Sequence, residues 1–232
     1  MEKLNRKDVR FLLACLAVMV VGAGITALLF KRAFPEASIE FRVNRSEARE
    51  AGEKFLRGLG RDVSGSRFAG RFDLEEEPKV YLERELGLEG ASRFYGTDAK
   101  VWRWKMRWFR SGVKEEEGVE ITPRGDLAGF VSVRREDAPG PRLTSEAARA
   151  LSNAFLARIG IAAAALKSIE VTPVTRPKRT DWTFVDEKVD LRMGAATVRY
   201  RTTVSGGEVT AFREFIHVPE AWSRDFPWSM CG

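Results

Sequence analysis

His217 is the single histidine of the chain. Any Ser-His-Asp or Cys-His machinery, in which imidazole takes a proton from a nucleophile and an acid orients it, would have to use that residue. It stands in Phe215-Ile216-His217-Val218-Pro219, at the end of an expected strand, where a partly exposed structural histidine is the ordinary case. A zinc site needs three or four clustered His, Cys or acidic ligands, and no HExxH or CxxC spacing occurs. Neither a GxxxxGK[ST] phosphate loop nor a GxGxxG turn after a strand is present. The sequence therefore assigns no catalytic, cofactor-binding or metal-ligating residue and implies no cofactor. The acidic runs Glu75-Glu76-Glu77 and Glu115-Glu116-Glu117 lie beside turns and read as solvated loop acids. Asn44-Arg45-Ser46 fits a glycosylation pattern, but Asn44 is better explained as a helix cap.

The most suggestive local feature is Val101-Trp102-Arg103-Trp104-Lys105-Met106-Arg107-Trp108. Trp102, Trp104 and Trp108 could stack on bases or sugars while Arg103, Lys105 and Arg107 meet anionic groups. Period-two alternation places the two sets on opposite faces of a strand. The tryptophans are accordingly expected to pack beneath a helix, and the basic residues to face solvent or lipid headgroups. Net charge is +6 with acids and bases interleaved, which would tolerate an anionic surface but argues for no nucleic-acid partner.

Two helices must position any such strand. Asn44 to Gly60 and Thr144 to Gly160 match at an offset of one hundred: Ala48 with Ala148, Arg49 with Arg149, Phe55-Leu56 with Phe155-Leu156. Asn44 and Thr144 can cap free N–H groups, and Glu47 completes a capping box. Gly60 and Gly160 suit the left-handed residue that ends a helix. Matching caps and apolar stripes at one fixed offset imply an internal duplication. Strands are expected at Val101–Trp108, Val119–Thr122, Leu127–Val133, Ser168–Thr175, Trp182–Val189, Ala195–Val204 and Val209–Val218. Turns are expected at Pro123–Asp126, Pro177–Thr180 and Ser205–Gly207. A further helix is expected at Pro78–Leu86, and Asp137–Pro141 is the junction between halves. Each half thus reads as a helix on its own antiparallel sheet, with Phe55, Leu56, Phe155, Leu156, Trp104 and Trp182 buried.

Phe11 to Phe30 is an uncharged apolar run flanked by Arg10 and Lys31-Arg32. A helix crossing the hydrocarbon core needs about 20 such residues. A cleaved signal peptide would have a shorter run followed by small residues, whereas this one ends in bulky residues and charge. Lys3, Arg6, Lys7 and Arg10 before the span favour a cytoplasmic N-terminus and a body outside the cytoplasm. The two cysteines, Cys15 in the run and Cys231 near the C-terminus, cannot staple the body.

The hairpins ending in Gly125-Asp-Leu-Ala-Gly-Phe130 and Gly207-Glu-Val-Thr-Ala-Phe212 resemble those of PepSY-like domains. Arg179-Thr180-Asp181-Trp182-Thr183-Phe184 and Val218-Pro219-Glu220-Ala221-Trp222 look like the N-terminal region of bacterial CPBP-type (CAAX-protease-like) intramembrane metalloprotease proteins. The paired glutamates and metal-binding histidines of that family have no counterpart here, so none of its catalytic residues carries over. The resemblance implies an α+β chain in which a transmembrane helix is followed by two PepSY-like repeats. Its parts are a cytoplasmic tail at 1–10, the span at 11–30, a linker at 31–43, repeat one at 44–136, a linker at 137–143, repeat two at 144–219 and a tail at 220–232. The expected function is a membrane-anchored extracytoplasmic binding or regulatory module, non-catalytic by itself. Its expected partners are lipid, through residues 11–30, and an envelope protein or peptide. The alternative is the N-terminal fragment of such a protease.

Overall fold

The computed structural model describes residues 6–33, 39–95 and 97–225. Arg6–Ala33 form helix α1. Its segment Val9–Phe30 has a mean hydropathy of 2.6 and nothing buried, and it is the one helix among the described residues long and apolar enough to cross a membrane. Cys15 is exposed on it, while Cys231 lies outside the described residues.

The two matched segments form α2 (Arg45–Gly58) and α4 (Ser145–Arg158). Asn44 Oδ1 accepts the N–H groups of Ser46 and Glu47, and the Glu47 carboxylate accepts the Asn44 N–H at 2.7 Å, closing the capping box. Thr144 Oγ1 accepts only the Ala147 N–H, at 3.3 Å, because alanine stands where the box needs Glu. The C-terminal ends coincide. Gly60 and Gly160 have φ of +74° and +84°, and the N–H of Arg61 and of Ile161 reaches back to Leu56 and Leu156 at 2.9 and 2.8 Å.

Strands β1 (Arg67–Leu74), β2 (Trp102–Phe109), β3 (Glu116–Ile121), β4 (Leu127–Val133), β5 (Leu166–Arg176), β6 (Arg179–Met193), β7 (Ala196–Ser205) and β8 (Glu208–His217) follow. They lie in one antiparallel sheet of eight strands, ordered β1-β2-β3-β4-β8-β7-β6-β5. Two separate sheets were expected. Instead the last strand of each half pairs with the other through Gly129↔Arg213, Phe130↔Phe212 and Val131↔Ala211. Fusion gives the N–H and C=O groups of this central stretch partners and covers part of two strand edges.

The ladders read outward from Phe130 and Phe212 correspond position by position. Val119 answers to Thr202, Met106 to Phe184 and Trp104 to Trp182. Each half shifts register at the same place, between Glu120 and Ile121 and between Thr203 and Val204. The Trp104 indole N–H donates to the Val43 carbonyl at 3.2 Å and that of Trp182 to the Leu143 carbonyl at 2.9 Å, each just before a helix cap.

Both helices lie on the face that carries Phe130 and Phe212. Phe55, Phe130, Phe155 and Phe212 form a chain of ring contacts with centroids 5.3 to 5.5 Å apart, bridging the two helices at the junction of the halves. Leu56, Phe155 and Leu156 are buried, whereas Phe55, Trp104 and Trp182 are half-buried, since each sits where a helix only partly overlaps its strand. Gly52 lets α2 approach Trp108: a Cβ there would come within 2.8 Å of the ring.

Two elements differ from expectation. β1 was not foreseen, because Ala69 and Gly70 interrupt its alternation and weaken strand propensity. The helix expected at Pro78–Leu86 is α3 (Glu76–Tyr95), interrupted at Gly87 with φ +68°. Tyr81 Oη accepts the N–H of Ala195 and of Ala196 at the β6–β7 hairpin, and Tyr95 packs edge-on to Trp102, so α3 closes one end of the sheet. A last helix, α5 (Glu220–Asp225), seats Trp222 on Tyr81. The junction Asp137–Pro141 is held to the second half. Arg179 Nη1 donates to the carbonyls of Arg135 and Ala138 at 2.8 Å each, while Asp181 holds its Nε.

Candidate functional site: a glycine-floored trough on the helix-free face

The opposite face of the sheet carries the odd-numbered residues of β2 and β8. One row across it reads Arg71, Lys105, Glu120, Gly129, Arg213, Arg201. The next reads Ala69, Arg107, Gly118, Val131, Ala211, Thr203. On the three strands β3, β4 and β8 the first row bares Gly129 between Glu120 and Arg213, and the second sets Gly118 and Ala211 on either side of Val131. The result is a trough of about 390 Å³ with a backbone floor, walled by Lys105 and Arg107 on one side and Arg201 and Arg213 on the other. Glycine within a strand marks bends or sites where another backbone approaches closely. Both glycines are confined: an added Cβ would meet Val131 Cγ1 at 2.9 Å from Gly118 and the Phe212 carbonyl at 3.1 Å from Gly129.

The trough's charges are held in place. Arg103, expected to face solvent, is 1% exposed. It donates to Glu120 at 2.7 Å, to Glu75 at 3.3 Å, and to the carbonyls of Lys100 and Glu214 at 2.7 and 2.8 Å. Burying a guanidinium without such partners would cost several kcal/mol; the surrounding acids permit it. Glu75 also receives Arg213, so the first acidic run is structural rather than solvated. Its neighbour Glu77 accepts from Ser223 at 2.5 Å. Glu116, in the second run, receives Arg107 Nε at 2.7 Å. Glu117 points to the helix side, where it is partly buried and accepts from Ser132 at 2.8 Å. Burial pushes its carboxyl up, against the lowering effects of Ser132 and Arg61. Lys105 pairs with Asp73 at 2.7 Å. Arg201 differs: among the described residues no carboxylate lies within salt-bridge distance of it, and its guanidinium stands 5.1 Å from the Phe215 ring centre.

Trp102 and Trp108 are buried under the helices, as the alternation implies; Trp108 Nε1 donates to Glu53 at 3.3 Å. His217 is half-buried opposite Thr197 on β7. Burial and the nearby Arg199 hold it below its ordinary pKa, while Glu187, Glu220 and Glu77 pull the other way. No group of three or more His, Cys, Asp or Glu placed to hold a metal exists among the described residues. The sequence reading passed over Gly118, Gly129, Ala211 and Arg201. The available signal was the two mid-strand glycines in Glu116–Ile121 and Leu127–Val133, which weaken a strand unless something uses the space.

No family model and no curated protein matches this chain. Among solved structures, it is similar to the Bacillus megaterium YpeB C-terminal domain, at 14% identity and a TM-score of 0.44. The match covers 74% of this chain and 62% of that one, so it spans less than two thirds of that chain.

Proposed function

We propose that this chain is a membrane-anchored, non-catalytic, extracytoplasmic binding module of two PepSY-like repeats, and that the trough on its helix-free face receives an extended segment of an envelope protein or peptide. The observation that carries this reading is the backbone floor at Gly118, Gly129 and Ala211 between two basic walls. An extended chain laid there meets main-chain atoms in the middle and guanidinium groups at the sides, which suits acidic side chains. Arg201, without a carboxylate partner among the described residues, is the cation most ready to receive one. Anchoring through α1 is supported by the length and hydropathy of Val9–Phe30, and orientation by the basic residues before it. Neither the fold nor any family model favours the association with an intramembrane metalloprotease, and it is not carried further.

The test is a photoactivatable side chain placed at Val131, which is exposed beside the floor, in the full chain expressed in its own membrane. A discrete adduct that disappears in Ala211→Arg and weakens in Arg201→Glu is expected. Adducts that persist unchanged in both variants would refute the trough as the binding site.

A further inference from the structure

Outside α1, Phe41 and Phe72 are the exposed phenylalanines among the described residues, at 60% and 37% exposure. Their ring centres lie 5.6 Å apart, and Trp104 backs Phe72 at 4.9 Å. The pair is fixed rather than trailing: the N–H groups of Arg42 and Val43 both donate to the Pro123 carbonyl, at 2.8 and 3.0 Å. Arg42 and Arg45 are exposed beside it, Arg42 also pairing with Glu40 at 2.7 Å, while Arg71 lies on the opposite face of β1 and pairs with Asp73 at 3.4 Å. Arg45 has no carboxylate within salt-bridge distance among the described residues, and its guanidinium lies 5.7 Å from the Phe68 ring centre. Seven residues lie between the end of α1 at Ala33 and Phe41, a stretch that spans at most about 30 Å when fully extended.

We propose that this aromatic corner rests in the lipid headgroup layer beside the anchor, holding the body against the bilayer at the free edge of β1. The proposal rests on the reading of α1 as a membrane span. Two observations select lipid as the occupant, and a third sets the depth of the contact. The corner is tethered within reach of the interface. Its composition, aromatic rings beside arginine, is the one that settles at headgroup depth, where rings take the apolar boundary and guanidinium groups meet anionic headgroups. The third is the free edge of β1. Its unpaired N–H and C=O groups can be hydrated at headgroup depth but not in hydrocarbon, which limits the contact to the interface. Docking there leaves the trough open, because the trough's floor lies on β3, β4 and β8 at the centre of the sheet.

The experiment uses the full chain with Cys15→Ala and Cys231→Ser, reconstituted in vesicles of phosphatidylcholine with roughly one third phosphatidylglycerol. Single nitroxide labels are placed at Glu40→Cys beside the corner, at Thr172→Cys on the far edge strand β5, and at Val18→Cys within α1. Accessibility to oxygen and to a water-soluble nickel reagent gives the depth of each label. The oxygen-to-nickel ratio at position 40 is expected to exceed that at position 172 at least three-fold. It should fall to the value at 172 in Phe41→Ser/Phe72→Ser and in Arg42→Glu/Arg45→Glu. A ratio at 40 unaffected by either variant, with the label at 18 still in hydrocarbon, would overturn the docking and leave the anchor standing. A label at 18 open to the nickel reagent would overturn both.

Discussion

The two halves share a frame yet differ where side chains leave it. On the helix side, position 52 is glycine and 152 serine, and Val119 stands where the second half has Thr202. Ser152 and Thr202 are fully buried, with hydroxyls that find no hydrogen-bond partner among the described residues. The first half therefore has the tighter, drier interface, with α2 drawn down onto Trp108 through Gly52. On the outer face the contrast runs through charge. Gly118 corresponds to Arg201, Val131 to Arg213, and Arg103 to Asp181. The same buried outer position holds a cation among acids in one half and an acid among Arg176 and Arg179 in the other. One frame thus keeps small residues in both halves at the matched positions Gly129 and Ala211, and the trough widens toward the first half because Gly118 stands where the second has Arg201.

The largest expected effect is at Arg103. Arg103→Ala leaves Glu120 without its cation and Glu75 with Arg213 alone, and should cost about 3–5 kcal/mol in chemical denaturation. Arg103→Met, which removes the charge but fills the space, should leave Glu120 unpaired and recover little unless Glu120→Gln accompanies it. Truncating either ring at the junction, Phe130→Ala or Phe212→Ala, should cost roughly 3–5 kcal/mol by cavity formation. The two losses should be non-additive, since the rings are cross-strand partners.

Smaller effects separate the halves by sign. Gly52→Ala drives a methyl into the rigid Trp108 ring and should destabilise by about 1–3 kcal/mol, despite alanine's better helix propensity. Ser152→Ala at the corresponding position removes an unsatisfied buried hydroxyl and should stabilise by about 1 kcal/mol; Thr202→Val should do the same. Equal signs at 52 and 152 would break the comparison. Glu117 supplies the smallest effect. Its folded-state pKa is raised, first by burial. Its contribution to stability is therefore fully present below its unfolded pKa and is lost as pH rises through the folded value. Subtracting the stability–pH curve of Glu117→Gln from that of the native chain should leave a difference that falls with rising pH across the carboxylate range. A flat difference would show that Glu117 is not desolvated.

Much of the frame was legible because its signals are local. Caps at Asn44 and Thr144, terminal glycines 60 and 160, and the Gly206-Gly207 hairpin with φ of +55° and +92° depend on backbone rules that sequence displays directly. Leu127–Val133 was read to the residue, since its turn and apolar run leave little choice. The fusion of the halves was not legible. The β4–β8 pairing joins residues eighty positions apart, and no local pattern distinguishes an edge strand from one that will find a partner. Arg103 was misread for a related reason: alternation fixes which face a residue takes, not what covers that face. The groups that bury Arg103 are the Glu75 carboxylate just past β1, the Glu120 carboxylate on β3 and the Glu214 main-chain carbonyl on β8. The trough was missed because Gly118 and Gly129 acquire meaning only once β3, β4 and β8 lie side by side.

The central claim is that the unlike halves form one sheet and one folding unit, with the trough across their junction. Native-state hydrogen exchange of the full chain in detergent micelles tests it most directly, through the backbone amides of Val119 in β3 and Val204 in β7. If the halves are one unit, both amides exchange through the same global opening. Their opening free energies then agree within about 0.5 kcal/mol and fall together in Phe212→Ala. Opening energies that differ by several kcal/mol, with Val119 unmoved by Phe212→Ala, would contradict the claim.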